Sequence, residues 1–206
     1  MIRLSTPMRS LTGELEVDGW TAWPALEGSH FAGRWSEIIQ TGREFAAALG
    51  DVEKPEFIDA GDDRWSIADR AAWDELDLDD LEQVPHLALL RDVQQSVSEP
   101  AQLIHGDLTG NVLFHPDLAP AVIDLSLYWR PIAYGSAVVV VDAIAFEGAP
   151  IELLDAIDPG PHFLQYVRRA LRFRIITDHL AGEATDDNGH ASYRELVELV
   201  CARLLP

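Results

Sequence analysis

The sequence predicts an α+β fold, mainly helical, with a small β-hairpin at its N-terminus. Three observations predict it. Residues 2–28 read as short alternating strands broken by turn formers, and Ser36 to Val97 and Pro161 to Leu204 read as helices. Between them, Leu103 to Asp124 alternates short apolar runs with polar loop residues.

Taken in order, Ile2 to Leu4 reads as a strand, Ser10 to Gly13 as a turn, and Glu14 to Val17 and Trp20 to Leu26 as a hairpin. From Ser36 to Leu49 the apolar residues Ile38, Ile39, Phe45, Ala46 and Leu49 recur at helical spacing, with Ser36 placed to cap and Gly50 to stop the helix. Asp51 to Arg64 is rich in Pro, Gly and Asp and reads as a loop; Ser66 to Trp73 and His86 to Val97 read as helices. The acidic run Glu75 to Glu82 reads as a solvated face. Leu103–Ile104, Val112 to Phe114 and Ala121 to Ile123 read as short strands that bracket loops. Ala137 to Phe146 is long enough for a buried helix, although Val138 to Val141 alone would suit a strand. Helices over Pro161 to Leu180 and Ala191 to Leu204, joined by the turn Gly182 to Gly189, complete the chain.

Composition excludes several classes. The 206 residues, 48% hydrophobic and 24% charged, match a folded, water-soluble domain with a sizeable core. A formal net charge of −20 repels phosphate backbones, so nucleic acid is not an expected partner. Cys201 is the single cysteine, which excludes a disulfide-stapled fold and fits a reducing, cytoplasmic setting. No signal-peptide core or membrane span is present, the longest apolar stretch being interrupted by Asp142.

The chemistry concentrates in His105-Gly106-Asp107-Leu108-Thr109-Gly110-Asn111, followed by Val122-Ile123-Asp124. Asp107 and Asn111 share a loop leaving one strand, and Asp124 ends the next, so three oxygen-bearing side chains should meet. Hard oxygen ligands in that number suit Mg²⁺, with Asn111 and Asp124 as protein ligands and Asp107 left to orient or deprotonate a hydroxyl.

This stretch resembles the catalytic loop of the aminoglycoside phosphotransferase and choline kinase superfamily, relatives of the protein kinases. The resemblance implies the helical C-terminal lobe of the protein-kinase-like fold, with ATP and Mg²⁺ as cofactors. It makes Asp107 the catalytic base, Asn111 and Asp124 the metal ligands and His105 a support of the loop. A loop through Trp129-Arg130-Pro131 and a helix bearing an inward acid follow, and Asp142 is assigned to bracing the catalytic loop. More weakly, Trp20 to Gly28 is similar to the hinge strand of such kinases, which would set Trp23, Pro24, Ala25 and Leu26 against adenine. The implied division is residues 1–28 as hairpin and hinge remnant of an N-lobe and 29–206 as the helical lobe.

The pattern departs from the family twice. Asn111 lies four residues after Asp107 where the kinase pattern has five, a shortening that Gly110 can absorb. No Gly-rich phosphate loop or lysine precedes the hinge; Lys54, the one lysine, follows it, and Arg3 and Arg9 are not equivalent replacements. The chain therefore reads as a kinase lobe without most of its N-lobe, whether as a fragment, a misassigned start or a reduced form. Two alternatives stand beside small-molecule phosphoryl transfer: a catalytically silent binding module or truncated lobe, and a metal-dependent hydrolase with His105, Asp107 and Asp124 as ligands.

Other residues have plainer readings. Arg168, Arg169, Arg172 and Arg174 read as the polar face of an amphipathic helix, with an anion site as the sharper option. His162, His179 and His190 lack ligand spacing. The six tryptophans read as core or interlobe residues, with Trp129 best placed to line a substrate pocket. Cys201 reads as inert. The net charge favours a cationic acceptor, and the hairpin edge favours a homodimer.

Overall fold

The computed structural model describes residues 1–78, 81, 84, 86–157, 160, 162–182 and 191–205. Its elements in chain order are β1 (Arg3–Leu4), α1 (Trp35–Ala48), α2 (Phe57–Ala60), α3 (Arg64–Ala72), α4 (Leu87–Asp92), β2 (Gln102–His105), β3 (Val112–His115), β4 (Leu118–Val122), β5 (Leu127–Arg130), α5 (Ile132–Phe146), α6 (Leu153–Ala156), α7 (Phe163–Leu180) and α8 (Ala191–Leu204). The expected turn at 182–189, His190 and part of the acidic run fall outside the described residues, apart from Gly182.

The centre is α5, because a helix that is apolar on every side can only be buried. Tyr134 through Ala143 are buried without interruption. Val138 to Val141 are helical despite their strand preference, since packing against α1 and α7 outweighs a propensity difference of a few tenths of a kcal/mol per residue. Around α5 and α7 sit α3, α1 and α8. Asp63 caps α3, its carboxylate accepting from the backbone N–H groups of Trp65 and Ser66. Among the described residues no helix is long and apolar enough to cross a membrane.

Two small sheets flank this helical body, one in the order β1-β4-β3 and the other pairing β2 with β5 in antiparallel fashion. The N-terminal segment is less regular than a hairpin reading implies. Val17 and Trp20 exchange backbone hydrogen bonds across the Asp18-Gly19 turn, and the Met8 N–H reaches the Ala22 carbonyl. β1 runs parallel to β4, and Arg3 donates to the Ala119 carbonyl, so the segment leans on the rest of the chain. At Gly28 (φ +131°) a Cβ would lie 2.9 Å from the Phe114 carbonyl oxygen, so only glycine lets Ser29 pair with Phe114.

Four expectations are corrected. Trp129 and Arg130, read as loop, belong to strand β5, because the backbone of Leu127–Arg130 completes the β2 ladder. Short helices α2 and α6 interrupt segments read as loops or left unassigned. Arg168, Arg169 and Arg172 are buried rather than forming a polar face. They donate to the carbonyls of Leu90, Gln95 and Ala71, at or just beyond the C-terminal ends of α3 and α4, where carbonyls lack helical partners. Trp20, Trp23 and Trp65 are exposed instead of core, whereas Trp73 packs on Tyr134 with the Arg130 and Arg169 guanidiniums over its ring.

Candidate active site

The two loops with the chemistry leave one ladder. His105 pairs with Leu127, and the next N–H, from Gly106, donates to the Ser126 carbonyl at 2.9 Å. Asp107 therefore follows β2 directly, while Asp124 precedes β5. A second tie joins Ile123 N–H to the Asn111 carbonyl at 3.0 Å, and Gly110 (φ +84°) supplies the left-handed turn that the short loop requires. A Cβ on Gly106 would lie 2.4 Å from the Tyr128 ring, so that position must also be glycine.

His105 is 1% exposed and stands edge-on to Phe45. Its Nδ1 accepts the Asp107 N–H at 3.1 Å and its Nε2 faces the Ile123 carbonyl at 3.3 Å, a pattern met by the neutral ring protonated at Nε2. Burial pushes its pKa below the ordinary 6.5. The unfolded chain thus takes up the proton first, and the stability His105 contributes is present above the ordinary value and lost as pH falls below it. Melting curves from pH 7.5 down to 5 should show a decline that His105→Gln reduces; identical slopes in the two proteins would refute this protonation assignment.

Asp107 is held from behind. Arg174 of α7 binds Asp142 of α5 through two bonds, Nε to Oδ1 at 2.7 Å and Nη2 to Oδ2 at 2.5 Å, and the same Nη2 reaches Asp107 Oδ1 at 2.6 Å. Asp142 is buried, and a lone carboxylate on an apolar helix would be costly without that cation. Asp142 thus touches the catalytic loop only through Arg174. Among the described residues the remaining Asp107 oxygen, Oδ2, meets only the Asn111 amide nitrogen at 3.3 Å, leaving it able to accept from a hydroxyl.

Asp124 sits at φ +49°, a left-handed conformation tolerated by Asp. Among the described residues its carboxylate has no hydrogen-bond partner. The Asn111 amide nitrogen donates to the Asp107 carbonyl at 2.8 Å, which turns the amide oxygen away as a free acceptor. The Asp124 carboxylate and the Asn111 amide oxygen, on loops tied together by the Ile123 N–H and the Asn111 carbonyl, are hard-oxygen donors of the kind that suits Mg²⁺, which takes few protein ligands and fills its shell with water and phosphate. Among the described residues no group of three His, Cys, Asp or Glu could hold a metal. Both His105 nitrogens serve the loop, so the His105 ligand set of the hydrolase alternative is not formed.

Asp107 opens on two cavities. The larger, about 600 Å³, is lined by α2–α3, β5 and α7, and holds Asp107 and Asp124 together with Trp65, Tyr128 and Trp129. The smaller, about 290 Å³, is lined by Asp107 and Arg174 together with Thr177, Asp178 and Tyr193. Trp65, Asp107 and Arg174 are common to both.

The structure thus brings Asp107, Asn111, Asp124, His105 and, through Arg174, Asp142 together. Trp23, Pro24, Ala25 and Leu26 line neither cavity, and the Pro24 carbonyl accepts the Ser5 hydroxyl at 2.7 Å. Sequence reasoning missed Trp65 and Tyr128 as cavity walls and Arg174 as the clamp. An arginine one turn beyond the apolar Ala170–Leu171 pair was the available signal for the last.

Compared with known proteins, residues 7–158 match the family model described as the phosphotransferase enzyme family. No curated protein matches the chain.

Proposed function

Because the chain belongs to the phosphotransferase enzyme family, in the aminoglycoside phosphotransferase and protein-kinase-like superfamily, we propose that it transfers the γ-phosphoryl group of ATP, with Mg²⁺, to a hydroxyl of a small molecule. The observation that carries this reading is the shared ladder that sets the open oxygen of Asp107 and the unpartnered carboxylate of Asp124 in one cavity. Asp107 Oδ2 accepts the hydrogen bond of the acceptor hydroxyl, aligns its oxygen for in-line attack and takes its proton as the bond to the γ-phosphorus forms and the bond from that phosphorus to the departing ADP breaks. Arg174 keeps the other Asp107 oxygen occupied, so the carboxylate cannot rotate away. Asn111 and Asp124 would hold Mg²⁺, which when bound neutralises charge on the transferring group.

Calorimetric titration of ATP tests this. Binding should require Mg²⁺ and weaken about tenfold or more in Asp124→Ala, as expected when a ligand carboxylate is removed. Magnesium-independent binding, equal in the variant, would instead support a silent nucleotide-binding module. That second reading is favoured by the N-terminal arginines, since Arg3 is committed to the Ala119 and Glu27 carbonyls and Arg9 to that of Gly13.

A further inference from the structure

The first 31 residues carry an apolar surface out of proportion to their share of the chain. Of the eighteen large hydrophobic side chains exposed among the described residues, nine lie there, and the other nine are spread over the rest of the sequence. Scattered exposed apolar residues are ordinary, but a concentration of them on a small domain marks an interaction surface. Trp20 is 80% exposed and Trp23 51%, and tryptophan is enriched among the residues that anchor interfaces. Main-chain bonds fold the segment into a ribbon: the Met8 N–H donates to the Ala22 carbonyl at 2.8 Å, the Ser5 hydroxyl to that of Pro24 at 2.7 Å, and Val17 pairs with Trp20. Met8 therefore stands beside the Trp20–Trp23 stretch, and Leu11 occupies the turn that the Gly13 N–H closes on the Ser10 carbonyl.

Charge selects the occupant. Residues 1–13 hold Arg3 and Arg9 and no acid, Glu14 to Asp18 supplies three carboxylates, and residues 19–26 carry no charge. Among the described residues Arg9 donates only to the Gly13 carbonyl and Arg3 only to those of Ala119 and Glu27, while the Glu16 and Asp18 carboxylates have no partner. The ribbon thus holds both halves of a charge pattern, neither neutralised by its opposite. A second copy turned about a two-fold axis sets the positive half of one ribbon against the negative half of the other, so the patch is complementary to itself. Nucleic acid and anionic lipid are repelled by the net charge of −20, and two copies of the chain can meet only where that field is locally offset.

We propose that the N-terminal ribbon is an isologous dimer interface, in which Met8, Leu11, Trp20 and Trp23 are buried between two copies of the chain and Arg9 of each faces Glu16 of the other.

Sedimentation equilibrium on the full chain from about 1 to 100 μM, the range in which modest specific interfaces assemble, tests this. A closed equilibrium between 22.8 kDa and twice that mass is expected. Trp20→Ser should weaken the dimer at least about tenfold, as removal of a central aromatic anchor does. Arg9→Glu and Glu16→Arg should each weaken it about three- to tenfold, the scale of two exposed charge pairs turned repulsive. An equimolar mixture of these two charge variants should return to within about twofold of the parent affinity, because the mixed dimer restores both pairs. Melting curves of the variants should superimpose on that of the parent, since all three side chains are exposed. A parent that stays monomeric throughout would overturn the proposal and leave the surface to a different polypeptide. A dimer indifferent to Trp20→Ser, growth into open-ended assemblies, or a mixture no tighter than its two components would overturn it as well.

Discussion

Replacing Asp107 with Asn should lower phosphoryl transfer by about 10²- to 10⁴-fold, the usual contribution of a positioned acid–base group. The substitution keeps the shape of the side chain and removes its ability to take a proton. Stability should change little, because Arg174 keeps both bonds to Asp142 and the Asp107 carboxylate it loses is already partly solvated. Mg²⁺-dependent ATP affinity should also persist, since Asn111 and Asp124 are untouched. ADP release with water as acceptor checks the rate, and calorimetry checks nucleotide binding. A variant as fast as the parent would remove Asp107 from the chemistry; loss of nucleotide binding would make it part of the metal site instead.

The second large effect concerns the fold. Arg130 joins β5 to α3 by donating to both oxygens of Asp69 and to Glu75, while its guanidinium lies over Trp73. Asp69 is buried, and burial raises its pKa even with Arg130 beside it. Arg130→Met leaves that carboxylate without its cation and should cost about 3–5 kcal/mol, the scale for breaking a buried ion pair from one side. Arg130→Met combined with Asp69→Leu should recover most of the loss, because removing both charges leaves nothing to solvate. Urea denaturation of the single and double variants reads this directly. In the single variant the deficit should shrink as pH falls, since a protonated Asp69 no longer needs a counter-charge. A single variant within about 1 kcal/mol of the parent would show that Asp69 finds another partner or water.

These two sites differ in how far the sequence exposed them. The catalytic loop was legible because its chemistry is local: Asp107, Asn111 and Asp124 lie within 18 residues, and the strands between them are short apolar runs. Helices α1, α7 and α8 were legible from periodicity, to within a residue or two at the described ends. Partnerships across the chain were not. Arg130 finds Asp69 61 residues away and Arg174 finds Asp107 67 residues away, and no local pattern distinguishes such an arginine from a solvated one. The same holds for Arg168, Arg169 and Arg172, whose spacing suits a polar face and whose partners are carbonyls on α3, on α4 and in the segment after it. β1 escaped a hairpin reading because its partner, β4, lies more than a hundred residues downstream.

One feature of the backbone bears on how such a site can change over time. The loops carrying Asp107 and Asp124 start from neighbouring rungs of the β2–β5 ladder, so main-chain bonds rather than side chains set the spacing between them. Part of the cavity wall comes from elsewhere, Trp65 from α3, Phe173 from α7 and the approach from α2, while Tyr128 and Trp129 stand on β5 itself. Substitutions in those walls can retune what is bound without moving the reacting groups apart. The helical part of the wall is thereby inherited apart from the reacting groups, open to drift while the ladder is kept as a fixed ruler.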